Sequence, residues 1–108
     1  MTRTYLFATF ALTLAPISLH AQEGVMRMCA ERDPPEICTC ATERLQAELS
    51  PDDFALYDRI GTDYMNRKES GESMTEAWDA AVAGAGSRIS VTNTFGRAHR
   101  DAINECSG

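Results

Sequence analysis

The chain has 108 residues, with ten Lys and Arg against sixteen Asp and Glu, for a formal net charge of −6. Such an acidic surface repels polyphosphate backbones and excludes nucleic acid as a partner, and a chain of this size allows one small domain whose apolar core alone is marginal. The four cysteines, Cys29, Cys38, Cys40 and Cys106, are therefore the most telling feature of the composition.

At the start of the chain, Arg3 precedes an uncharged and largely apolar run from Thr4 to Ile17. The run falls short of the roughly 20 residues of a bilayer-spanning helix, and Pro16 interrupts it, so residues 1–21 are expected to be a cleaved export signal ending at Ala21. The first cysteine, Cys29, follows Arg27 and Met28 instead of closing the signal, which argues against a lipid anchor. The expected product is residues 22–108, a single disulfide-stapled helical domain in the periplasm or secreted, with no membrane attachment after cleavage.

Helical signals follow one another through the rest of the chain. A short helix over residues 23–32 stops at Asp33-Pro34-Pro35, because consecutive prolines remove amide donors and bias the preceding residue away from the helix. A second helix runs from Glu36 to about Leu49, with Ile37, Cys38, Ala41, Leu45 and Leu49 on one face. Ser50-Pro51-Asp52-Asp53 opens a third, with Ser50 as N-cap, Pro51 in the first helical position and acids where the helix dipole favours them. Its inward face is Phe54, Tyr57, Ile60, Gly61 and Tyr64, and Gly71 is suited to end it. Ser73 and Glu76 form a capping box for a fourth helix, which turns Met74, Ala77, Trp78, Ala81 and Val82 inward and breaks near Gly86. Phe95, His99, Ala102, Ile103 and Cys106 share one face of a last helix. The expected fold is all-α, a small bundle of four to five helices.

An even number of cysteines in an exported chain predicts two disulfides. A bridge between Cys38 and Cys40 closes too small a ring, which leaves two pairings. Cys38 lies on the apolar side of its helix and Cys40 about 200° further round. This favours Cys38 with Cys106 and Cys29 with Cys40, while Cys29 with Cys38 and Cys40 with Cys106 stays nearly as good.

No residue pattern points to catalysis. His20 belongs to the signal, so His99 is the one histidine of the mature chain, too few for a multi-histidine zinc site; Ser90, Thr92, Asp101 and Glu105 are near it in sequence, but nothing marks one as an activated nucleophile or orienter. Asp52 with Asp53, and Asp58 with Asp63, suit capping and solvent better than paired-acid chemistry. Cys38-Thr39-Cys40 with Met26, Met28 and Cys29 supplies soft sulfur for a copper or redox carrier, but only if the cysteines are thiols. Grooves between helices also admit a small apolar ligand.

With one cysteine ahead of a Cys-x-Cys pair on a helix and another near the C-terminus, the chain resembles small exported bacterial helical proteins of uncharacterised role. That resemblance implies architecture and no activity. The expectation is a non-enzymatic module that binds another protein, as an accessory or protective factor, with no cofactor and no metal; the alternatives are a sulfur-based copper or redox carrier and a carrier of a small apolar ligand.

Overall fold

A computed structural model of the chain describes residues 23–108, and the export signal read over residues 1–21 lies outside them. Five helices and no strand occur among the described residues: α1 (Glu23–Ala30), α2 (Pro35–Glu48), α3 (Pro51–Glu69), α4 (Met74–Gly84) and α5 (Ile89–Cys106). Two disulfides staple them into a small all-α bundle.

The boundaries follow local chemistry. Pro34 is extended and Pro35 starts α2, where a missing amide hydrogen costs no helical bond. Ser50 accepts a hydrogen bond from the Asp53 amide at 3.1 Å, with Pro51 at the first position of α3. Ser73 and Glu76 make the reciprocal capping box of α4. Gly71, at φ 104°, and Gly86, at φ 71°, lie just beyond the ends of α3 and α4, in the left-handed region that a side chain disfavours. The break near Gly86 therefore occurs where the sequence placed it.

α3 is the central helix. α1 lies closest along it on one side, α4 packs on another, and α5 lies mainly along α2. Phe54, Tyr57, Ile60, Gly61 and Tyr64 are all buried, as the periodicity of α3 predicts. All but Gly61 belong to two adjoining clusters, one of Val25, Leu45, Phe54, Tyr57 and Phe95, the other of Ile60, Tyr64, Ala77, Ala81 and Val82. Met28, Leu56 and Trp78 pack against both and join them. Met74 is a correction: it is 59 % exposed, because as the first residue of α4 it sits beside the Ser73 cap, one turn before the buried face begins.

The seam between α1 and α3 is built from backbone. A methyl group on Gly24 would overlap the Asp58 carbonyl oxygen and stand 2.5 Å from the Thr62 nitrogen, and one on Gly61 would stand 3.1 Å from the Gly24 backbone. The two glycines therefore permit a helix approach closed to larger residues. Asp58, read from the sequence as a surface acid, is buried here, and its Oδ1 accepts the Val25 amide at 2.9 Å. α1 thus has an N-terminal amide capped from α3, across the seam. Burial raises the Asp58 pKa, while hydrogen bonds from the Val25 and Gly24 backbones act against that rise.

Candidate functional site

The bridges are Cys29–Cys38 and Cys40–Cys106, which corrects the favoured pairing of Cys29 with Cys40 and Cys38 with Cys106. Cys38 is indeed on the buried face of α2, but it meets the end of α1 there, with Cα atoms 5.6 Å apart. α5 approaches the flank instead. Cys40 and Arg44, one turn apart on that flank, reach Cys106 and Glu105, the latter through an ion pair at 3.0 Å. Helical periodicity identified the buried face correctly; which neighbour covers each face is a property of the tertiary arrangement.

Because all four cysteines are bridged, none is left as a thiolate ligand. No group of three or more His, Cys, Asp or Glu side chains is placed to hold a metal ion among the described residues. Met26 is engaged by the buried Thr42 hydroxyl, which donates to its sulfur at 3.2 Å, and Met28 packs in the core. The carboxylates considered for acid chemistry separate as well: Asp58 caps α1, Asp63 pairs with Arg67 at 3.1 Å, and Asp52 and Asp53 are exposed in the first turn of α3.

The lean of α5 onto α2 leaves an open groove of about 750 Å³ between α5 and the elements that carry Met28 to Asp33, Tyr57 and Trp78. Met28, Tyr57, Trp78 and Ile103 supply its apolar and aromatic lining. Trp78 is held by an edge-on contact with Tyr64, at 5.1 Å between ring centroids. Tyr57 is packed edge-on against Phe95 and His99.

His99 also lines this groove and is only 4 % exposed. Its Nδ1 lies 3.0 Å from the Tyr57 hydroxyl, whereas its Nε2 is buried with no hydrogen-bond partner among the described residues. The Tyr57 hydroxyl has no other partner there either. Its proton therefore goes to Nδ1, since the opposite tautomer would strand that proton as well as an Nε2 lone pair, and Nε2 then carries a hydrogen without an acceptor. Burial lowers the His99 pKa to about 4 despite the nearby Asp33 carboxylate, so the ring is neutral at pH 7. Burial also pushes the Tyr57 phenol up, keeping it protonated.

The groove is edged by Arg32, Arg97 and Arg100, all exposed. None of the three forms an ion pair among the described residues, in contrast to Arg27, Arg44, Arg67 and Lys68, each bound to a carboxylate. Two acids share the groove lining, and Glu31 is already engaged by Lys68, which leaves Asp33. Sequence reading found His99 on its buried face but missed the Tyr57 partnership, the arginines and the groove. The residues of α5 at steps of three and four from Arg97 were the available signal: Arg97 and Arg100 sit one turn apart beside the apolar stripe.

Compared with known proteins, the chain matches no protein family, no curated protein and no solved structure.

Proposed function

We propose that the chain is a non-enzymatic binding module, exported from the cytosol to the periplasm or beyond, that holds a segment of another protein in the groove along α5. The observation that carries this reading is the groove itself, a recess of about 750 Å³ with an aromatic and aliphatic lining. Two covalent bridges that meet near the start of α2 tie α1 and α5 to it, which reduces the ordering cost of binding. Export is supported by the two disulfides, which persist in oxidising compartments and are rare in the cytosol. No helix among the described residues is long and apolar enough to cross a membrane. A carrier of small apolar molecules is the less suitable reading, because charged side chains edge this groove and it is open to solvent.

The reading is tested by placing a photo-cross-linkable residue at Asn93 or Asn104 in the groove, and at Ala47 on α2 outside it, and irradiating cells that produce the protein. The expected result is the same protein adduct from both groove positions and none from Ala47. Adducts from all three positions alike, or from none, would overturn it.

A further inference from the structure

The groove stands out electrostatically from the rest of the molecule. The whole chain is acidic, with a formal net charge of −6, and four of its basic side chains are taken up in ion pairs on α1, α2 and α3. Arg32, Arg97 and Arg100 are the basic groups that edge the groove, and they carry no such partner among the described residues. Three guanidinium groups face one uncommitted carboxylate, Asp33, on the groove lining. A guanidinium presents a planar fork of donors that matches a carboxylate, and it keeps its charge at every physiological pH.

Buried beside them is a second, independent demand for an acceptor. The Nε2 hydrogen of His99 has nothing to bind among the described residues, and a buried donor without an acceptor is destabilising. His99 is among the residues that line the groove, so an occupant that parts this wall can bring an oxygen to it. Both features ask for the same ligand atom, a carboxylate or carbonyl oxygen, next to an aromatic floor formed by Tyr57 and Trp78.

From Arg32, Arg97 and Arg100, none of them in an ion pair among the described residues, the orphaned His99 Nε2 and the aromatic floor, we infer that the groove is a carboxylate-reading site. Its occupant is a partner segment with an apolar anchor flanked by aspartate or glutamate side chains. The inference rests on the protein-binding reading above and specifies the chemistry of the partner. The apolar anchor fills the space over Trp78, the flanking carboxylates pair with the arginines, and a ligand oxygen accepts from His99. The exposed arginines steer the encounter and reject basic segments, so binding weakens as salt is added.

The test begins with the disulfide-intact protein and an immobilised combinatorial library of 12-residue peptides. One enriched peptide and its counterpart with Asn and Gln in place of every Asp and Glu are then titrated in solution. Trp78 is the chain's one tryptophan, so its fluorescence reports on the groove directly. The expected outcome is enrichment of acidic residues around aromatic or aliphatic ones, at least tenfold weaker binding of the amide counterpart, and affinity that falls with salt. The paired change Arg97→Glu and Arg100→Glu is expected to cost tenfold or more with an unchanged far-ultraviolet spectrum, while Arg59→Glu, outside the groove, leaves binding intact. In the wild-type protein the His99 Nε2 nitrogen resonance shifts on binding. Enrichment of neutral or basic peptides, or insensitivity to the Arg97 and Arg100 changes, would overturn the carboxylate inference while leaving the protein-binding reading standing. No enrichment at all would also overturn it, and the cross-linking experiment separately decides the broader reading.

Discussion

α1 and α5 are both fastened to the middle of the bundle, but by opposite means. α1 has eight residues, too few to be a stable helix alone, and it is held through backbone: glycine against glycine, an amide capped by a carboxylate from another helix, and a short disulfide loop. α5 has 18 residues and is held through side chains, with Phe95, His99 and Ala102 turned inward and a disulfide closing a span of 66 residues. Where backbones touch, no room remains between helices. Where side chains bridge the distance, a recess opens, and the candidate site lies there.

This contrast is open to direct attack, and the bridges give the largest expected effects. Replacing Cys40 and Cys106 together with serine frees a long loop and should cost about 4 kcal/mol, against about 3 kcal/mol for the Cys29 and Cys38 pair, on loop-entropy grounds. Chemical denaturation measures the difference, and hydrogen exchange should show α5 losing protection in the first case and α1 in the second. If both variants opened the same helix, the division between the two regions would fail.

Acidity probes the α5 side next. His99 has its pKa lowered to about 4 from a model-peptide value near 6.5, so its contribution is fully present above pH 6.5 and is lost as the pH falls through that window toward 4. The loss is of order 3 kcal/mol by linkage. A His99→Gln protein should show a shallower fall in stability between pH 6.5 and 4 than the parent; parallel curves would mean the ring is not held neutral by burial.

On the α1 side, Gly24→Ala puts a methyl group into the backbone of α3 and should destabilise by about 1–3 kcal/mol. Gly61→Ala should cost less, since its nearest obstacle is the mobile end of Met28. The contrast in thermal midpoints is the measurement, and equal midpoints would refute the close-seam description. The Asp58 cap follows in size. Asp58→Ala strands the Val25 amide and should cost about 1–2 kcal/mol, whereas Asp58→Asn keeps an acceptor and should cost less than 1 kcal/mol. Because burial raises the Asp58 pKa, ionisation is itself unfavourable there and that penalty appears as the pH rises through the raised value; the neutral amide avoids it.

How much of this was legible in the sequence depends on how far each signal reaches. Ser50-Pro51, the Ser73 and Glu76 box, and Gly71 act within a few residues, and each marks the helix end that the structure shows. The inward face of α3 follows from periodicity alone. Asp58 was misread because its partner, the start of α1, is 33 residues away and nothing near Asp58 in sequence reveals it. The cysteines failed at the same level: the buried side of α2 was correctly found, but at Cys38 that side meets α1. The groove was out of reach for a related reason, since it exists only because α5 lies mainly along α2 and leaves a recess beside Tyr57 and Trp78.

The observed pairing has a consequence for how the molecule is made. Each cysteine is joined to the next one along the chain, Cys29 to Cys38 and then Cys40 to Cys106, so the two covalent loops follow in series and neither crosses the other. A polypeptide emerging N-terminus first can close the first loop before the last sulfur has arrived, and Cys40 then has a single partner left to wait for. Oxidation in order of appearance yields the native connectivity, with no need for an isomerase to undo an earlier mistake.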